Sequence, residues 1–580
     1  MSRHGHSSHA GVYSDLQVVI NHKWHPENAM LPHARWFRLT SCLAATCLLG
    51  AALSASEVQL AQSGGDVSDG FAGGGMFFGA DGGPAVARDG DVIVVGNSGD
   101  DLPGQGNQGS ASVFRWNGSA WIEEQTLIAS GGDGNDNFGW SVAICGPVIA
   151  VSAPFAEVLG VSEQGSVTVF RWNGSLWVEE QTLSASGGVA FDGFGWSISM
   201  NGDVIVVGAK EDDVGLPFPL GSLNQGTATV FRWNGTTWDE EQTLVASAGV
   251  ANDRFGCAVS VSGQTIVVGA SEASPGGLSV AGTATVFRYD GSIWIEEQTL
   301  TPAAAAAGDS FGNAVAVSGD VIVCGSPYHA TTGTATVYRW DGASWNEEQT
   351  LVSSTGSSST TWARFGASLA IRGHTIAVGA FFNDVSWKLA QGTVTIFRWD
   401  STSWAGEPDF TSLFGAAHDG FGACVALYGD DVLVGSPHHP MSGHFNQGAA
   451  YLFDKPGPTW SDQGSALRGV FGDPLLAGSG DLSVGSDNVV ELMQAAPDAT
   501  AGLFLALSST PVPFKGGTLM PFPFFPIELL TTSDSGTLPI AFSMPTGAPA
   551  GTELWVQWAI QDAAAIHGVA LSNALRGITP

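Results

Sequence analysis

The chain has 580 residues, room for one large repeat domain and a smaller companion, and its 79 glycines and 13% charged residues favour an all-β protein with many tight turns. Acidic residues outnumber basic ones 54 to 20, so a polyanion such as nucleic acid is repelled, not gathered. A cationic, metal-bridged or neutral partner fits better, unless the acidity serves only to keep a secreted protein soluble.

Residues 35–55, RWFRLTSCLAATCLLGAALSA, join two arginines to an apolar run and end on small residues. This predicts a secretory signal cleaved near Ala55, too short and too weakly flanked for a membrane span. Residues 1–55 are thus leader and signal. Translation is expected to start at Met30, leaving His4, His6, His9, His22 and His25 outside the protein, with a metal-binding leader as the alternative. Four cysteines then remain, Cys145, Cys257, Cys324 and Cys424, without a CxxC pair, so neither a disulfide framework nor a zinc site is indicated.

Residues 56–66, SEVQLAQSGGD, align without gaps on 123–133, EEQTLIASGGD, the end of a later repeat. A lone outer strand at the start of the mature chain would close a ring of repeats and remove an exposed edge. The segment after Trp460 could supply that strand instead.

The repeat itself begins at Phe138, Phe194, Phe255, Phe311, Phe365 and Phe421, with a worn copy at Gly82-Gly83 before them. Its first strand alternates large and small, as in Phe194, Trp196, Ile198 and Met200 against Gly195, Ser197 and Ser199. Neighbouring sheets can fill each other's hollows with that pattern. A tight turn such as Asn201-Gly202 leads to a continuously apolar second strand, then to GTATVFRW, an Asn-Gly or Asp-Gly turn and WxxEEQTL. Four antiparallel strands repeated seven times predict a seven-bladed β-propeller over residues 56–466, with stacked sandwiches as the weaker reading. In such a blade the 2–3 and 4–1 connections share one face of the disc. They are long and variable here (97–108, 210–225, 381–391, 438–447), which marks that face for a ligand.

The Phe-Gly opening resembles FG-GAP repeats, the units of integrin α-subunit head propellers, as do Ser152-Ala153-Pro154, Gly208-Ala209-Lys210, Gly269-Ala270-Ser271, Gly325-Ser326-Pro327, Gly379-Ala380-Phe381 and Gly435-Ser436-Pro437 at the close of strand two. The chain is most similar to secreted bacterial members. The resemblance implies an extracellular adhesion or recognition propeller whose 2–3 and 4–1 loops meet the partner. It does not carry over calcium: the DxDxDG loop of that family is reduced here to turns such as Asn201-Gly202-Asp203, too short to supply six oxygens.

Asp136, Asp192, Asp253, Asp309 and Asp419 precede their Phe by two residues and read as turn caps, with a carboxylate ring on the ligand face as the alternative. The Glu-Glu pairs (Glu123-Glu124 onward) read as solvated edge charges offset by Arg115 and its equivalents. The tryptophans from Trp121 to Trp460 read as packing positions. Asn-Gly-Ser/Thr at Asn117, Asn173 and Asn234 reads as hairpin turn, not glycosylation site. Ligand contacts are expected from the unique loops: acidic tips Asp100, Asp101, Glu211, Asp212 and Asp213, which could hold calcium weakly; aromatics Tyr328, Phe381, Phe382 and Trp387; and His438, His439 and His444, a clustered but loosely spaced set. No catalytic constellation, cofactor or metal site is evident.

From residue 467 the repeat stops and proline rises. Short alternating runs at 537–542 and 553–560 predict a second all-β unit, a sandwich, over 467–580. It is similar to a C-terminal module of secreted bacterial proteins, which implies surface attachment. No helix of membrane-spanning length is expected. The sequence reads as a secreted or cell-surface, non-catalytic binding protein for an extracellular protein or glycan. A secreted hydrolase or lyase with its site at the central opening, or a purely structural surface protein, is the alternative.

Overall fold

The computed structural model describes residues 16–19, 36–39, 57–60 and 85–580, the last span without 216–222, 355–361, 401, 441–446, 455–458, 470–471, 526, 534–535, 546–547 and 564. The start at Met30, the leader histidines, the cleavage site near Ala55, the worn motif at Gly82-Gly83, and His444 lie outside the described residues.

Among the described residues, seven four-stranded antiparallel sheets follow one another. Blade 1 comprises Val86–Asp89, Val92–Asn97, Ser110–Trp116 and Trp121–Leu127. Blades 2 to 6 open on Val142–Cys145, Ser197–Asn201, Phe255–Ser262, Val315–Ser318 and Ser368–Arg372. Blade 7 holds Val425–Tyr428, Asp431–Ser436 and Ala449–Asp454, and takes its outer strand, Glu57–Leu60, from the other end of the chain. The first strands touch in sequence around an axis, and blade 7 meets blade 1, so the ring is closed.

The sequence accounts for this packing. Second strands such as Val204–Ala209 are buried along their whole length. The repeat phenylalanines Phe194, Phe255, Phe311, Phe365 and Phe421 are fully buried, each edge-on to an aromatic ring of its own blade. The small face does more than leave room. The hydroxyls of Ser141, Ser199 and Ser260 each accept a bond of 3.1 Å from a backbone N–H of the next blade (Ile198, Val261, Val317).

At the rim the glutamates are offset by the neighbouring arginines as expected, from Arg115–Glu124 to Arg339–Glu348, but they do more than sit at a solvated edge. The pairing of strands three and four slips by one residue, as between Val230 and Phe231, and this bulge gives the paired glutamates separate tasks. Glu124 pairs with Arg115 at 2.8 Å and accepts from Trp177 Nε1 of the next blade at 3.1 Å. Glu179 accepts from the backbone N–H and hydroxyl of Ser130, both at 2.9 Å. Gln125 exchanges two bonds with the Trp177 backbone, at 2.8 and 2.9 Å. WxxEEQTL is therefore a seam between blades.

The tryptophan register also ends earlier than expected. Trp460 lies on Trp460–Asp462, which pairs with Leu575–Ile578 and not with blade 7. Its indole packs against Phe542 in the second unit, whose first strand thus precedes residue 467. That unit packs a six-stranded sheet and a three-stranded sheet around one core, which includes Leu476, Leu492, Ile540 and Trp558. It sits on the 1–2 turns: Gln494 Nε2 donates to Ser262 at 2.7 Å, Arg372 pairs with Asp462 at 3.5 Å, and Arg468 lies 3.7 Å from Asp89. The axial cavity, about 300 Å³, is lined by first strands of all seven blades. Below it, residues of the second unit help line a polar pocket of about 170 Å³. No helix among the described residues is long and apolar enough to cross a membrane.

Candidate functional site

Strand order places the 1–2 and 3–4 turns on the face that carries the second unit. The 2–3 and 4–1 connections occupy the opposite, loop face. Among the described residues, the loops bearing Asp100-Asp101 and Asp212-Asp213 are fastened from within by those acidic residues. Asp100 is buried and accepts from Ser110 Oγ at 2.6 Å; Asp212 accepts from Thr227 Oγ1 at 2.7 Å. One residue on, Asp101 and Asp213 accept from the backbone N–H groups of Asn107 and Asn224, at 2.7 and 2.8 Å. Glu211 pairs with Arg254 at 3.1 Å. These carboxylates brace their own loops instead of converging on a ligand. Among the described residues no group of three or more His, Cys, Asp and Glu side chains is placed to hold a metal ion. His439 is buried with Nδ1 2.8 Å from Asp419 Oδ2, and His329 repeats that contact with Asp309 at 2.8 Å. His438 is half-buried, and burial pushes its imidazole below the ordinary value.

The repeated aspartates cap turns. Asp136, Asp192, Asp253, Asp309 and Asp419 each accept the backbone N–H three residues earlier, at 2.5 to 2.7 Å. Burial raises the Asp192 carboxyl to about 7, helped by nearby Asp212 and Asp213. Its pKa in the folded chain thus exceeds the unfolded value. The stability it contributes is complete at low pH and is lost as pH rises through about 7. We expect Asp192→Asn to flatten the decline in thermal stability between about pH 4 and pH 7 by roughly 1–2 kcal/mol. A variant whose melting temperature follows pH as steeply as the parent would refute this assignment.

The aromatic residues divide. Phe381 is buried beneath Phe382, ring centroids 4.4 Å apart. The others form a ridge over blades 5 to 7. Tyr328 lies under the Arg364 guanidinium at 3.6 Å, and Arg364 faces Trp362 at 5.8 Å. The Phe382 N–H donates to Ala363 O at 3.2 Å, joining the blade 6 loop to that cluster. Trp387 is 83% exposed at the tip of the same loop. Its neighbour Lys388 donates to Gly415 O, beside exposed Leu413 and Phe414. Sequence reasoning missed Trp362, Arg364 and Phe414. The available signal was Ala363, which stands where five other repeats carry the capping aspartate.

The FG-GAP repeat family model matches residues 121–170, 177–231, 238–287, 294–338 and 404–453. This is an FG-GAP repeat protein. Each match begins on strand four of one blade and ends on strand three of the next, so the sequence unit straddles a joint. A comparison with curated proteins finds no match. Among solved structures the chain is similar to a candidate 6-phosphogluconolactonase from Bacteroides fragilis NCTC 9343, at 12% identity over 57% of this chain and 84% of that one, with a TM-score of 0.36. A second, from Bacteroides uniformis ATCC 8492, shares 10% identity over 61% and 93%, with a TM-score of 0.38. In this FG-GAP protein both motifs are contact points. The glycine closing strand two in one blade faces the glycine after Phe in the next, as Gly208 faces Gly256 and Gly269 faces Gly312.

Proposed function

We propose that this FG-GAP protein is a secreted or cell-surface binding protein that catalyses nothing and holds an extracellular protein or glycan on its loop face. The observation that carries the reading is the set of exposed aromatic side chains Trp362, Phe382 and Trp387 on the loop face, with half-buried Tyr328 packed under Arg364 beside them. Large aromatic side chains lose little entropy on binding and anchor both protein and sugar partners. Recognition through such a ridge needs no bound calcium. Surface attachment, in this proposal, falls to the second unit, which is docked on the opposite side of the disc.

The test is a pull-down of the mature chain against envelope extracts and a glycan array, with calcium or with EDTA. Trp362→Ala combined with Trp387→Ala is expected to weaken capture at least about tenfold without lowering the melting temperature. Capture that survives both substitutions, capture abolished by EDTA, or turnover in a hydrolase and lyase screen would each overturn the reading.

A further inference from the structure

The second unit meets the disc with carboxylates set against carboxylates. Asp89, Asp320 and Asp430 come from the 1–2 side of the blades, and Asp473, Glu491 and Asp462 of the second unit stand beside them. Asp430 and Asp462 have a guanidinium each: Arg398 lies 3.4 Å from the first and Arg372 3.5 Å from the second. The other two pairs are short of positive charge. Asp89 and Asp473 share Arg468, at 3.7 and 3.5 Å, with Arg372 farther off. Asp89 also accepts from the Gly146 N–H at 2.5 Å. Cys145 and Tyr428 line the same polar pocket, and burial pushes both upward, so they bring no charge.

Glu491 stands half-buried on Asp487–Met493, facing Asp320 and Arg339 of blade 5 and His374 of blade 6. Arg339 is already engaged by Glu348 at 2.6 Å and Asp320 at 3.1 Å. His374 Nε2 is 4.0 Å from the Glu491 carboxylate, but burial pushes that imidazole down to about 4, so it is neutral where Glu491 ionises. The strands paired on either side, Leu475–Ser479 and Leu538–Ser543, carry no charged residue, and its own strand adds only Asp487. Loss of a proton here sets Glu491 against Asp320 in a closed interface, as it sets Asp89 against Asp473. We propose that the seam is a proton-operated latch, which holds the second unit against the disc in acid and loosens it toward neutral pH. Burial, reinforced by Asp320, raises the Glu491 carboxyl to about 7, and burial with Asp473 raises Asp89. Both shifts run upward, so what these groups add to docking is complete in acid and is lost as pH rises from the ordinary carboxylate range through about 7. The device is independent of what the loop face holds.

Small-angle X-ray scattering of the full mature chain at constant ionic strength, from about pH 4.5 to pH 8.5, tests this, with far-ultraviolet circular dichroism recorded on the same samples. The radius of gyration is expected to rise as pH approaches 7 and to level off above it, while the dichroism stays constant. Glu491→Gln should at least about halve that rise, and Glu491→Gln combined with Asp473→Asn should abolish it. Glu528→Gln removes the same charge on the far edge strand, Glu528–Thr531, and should leave the rise as it is in the parent. Should Glu491→Gln fail to fold, Asp473→Asn alone decides, since it removes the charge set against Asp89. A radius of gyration that does not change, a rise that accompanies loss of the dichroism signal, a rise indifferent to Glu491→Gln, or one suppressed equally by Glu528→Gln would overturn the inference.

Discussion

Gly269→Ala is expected to destabilise the propeller by about 3 kcal/mol or more, the upper end of what one methyl group does in a packed interior. A Cβ at this position would fall well inside van der Waals contact with Gly312 O in the next blade. That oxygen belongs to backbone, and the Gly312 N–H is itself bonded to Gly325 O at 3.0 Å, so the strand cannot step aside alone. Relief would require the joint between blades 4 and 5 to open. The joint between blades 2 and 3 shows what that involves: Ser152 replaces the glycine there, and a Cβ on Gly195 would still lie 2.9 Å from Ser152 Cβ. That joint is spaced for a side chain, and the Ser152 hydroxyl fills it by accepting from the Ser141 N–H at 2.9 Å. Gly187→Ala is the control. A Cβ there meets nothing within 4 Å, so its effect should stay within about 0.5 kcal/mol of zero. Denaturant unfolding of both variants gives the comparison. If Gly269→Ala proves as stable as Gly187→Ala, the motif glycines are not joints.

Those glycines illustrate what was legible. A feature repeated in every blade serves the blade, so period alone exposed the buried phenylalanines, the capping aspartates and the large-and-small alternation of the first strand. Residues 56–66 identified the closing strand because they copy an outer strand seen later in the chain. What stayed hidden depends on pairing partners that a sequence does not display. Glu123 and Glu124 look like neighbours on opposite faces until the bulge between Val113 and Phe114 is known. Trp460 keeps the residue type of a blade tryptophan but pairs with a strand near the C-terminus. At the loop face, the acidic tips resembled ligands because their hydroxyl partners lie 10 residues on in one loop and 15 in another (Asp100 to Ser110, Asp212 to Thr227), which hides the repetition. The aromatic half of the expected site is better placed. Tyr328, Phe382 and Trp387 share one ridge, whereas Phe381, next in sequence to Phe382, points into the core.

Starting the chain at residue 61 should cost roughly 4–6 kcal/mol and open the ring at one particular joint. Glu57–Leu60 forms the whole outer strand of blade 7. Leu60 is buried among residues that include Phe114, Leu433 and Leu452, and Glu57 accepts from Ser412 Oγ at 2.5 Å and the Leu413 N–H at 3.2 Å. The joint to blade 1 lacks the glutamate and glutamine bonds that stitch blades 1 to 6 to one another. Glu57 faces Phe453 where the outer strands of blades 1 to 5 place the first glutamate of the pair, and the strand has no bulge, so the second glutamate has no counterpart. Val58 stands where a glutamine would hold the next tryptophan. Trp121 is accordingly only half-buried, whereas Trp177, Trp238, Trp294, Trp345 and Trp404 are buried. Arg88 spans the gap, over Trp121 at 5.0 Å and Tyr428 at 5.2 Å while paired with Asp431. Removing the strand strips Ala449–Asp454 of its partner and leaves an unpaired sheet edge, so the truncated chain should also self-associate. It should loosen the loop bearing Leu413 and Phe414 as well, linking ring closure to the aromatic ridge. A synthetic peptide of residues 56–66 added in trans should recover most of the lost stability by completing the sheet. An unchanged denaturation midpoint after truncation, or no response to the peptide, would show that the ring is held closed by something other than this strand.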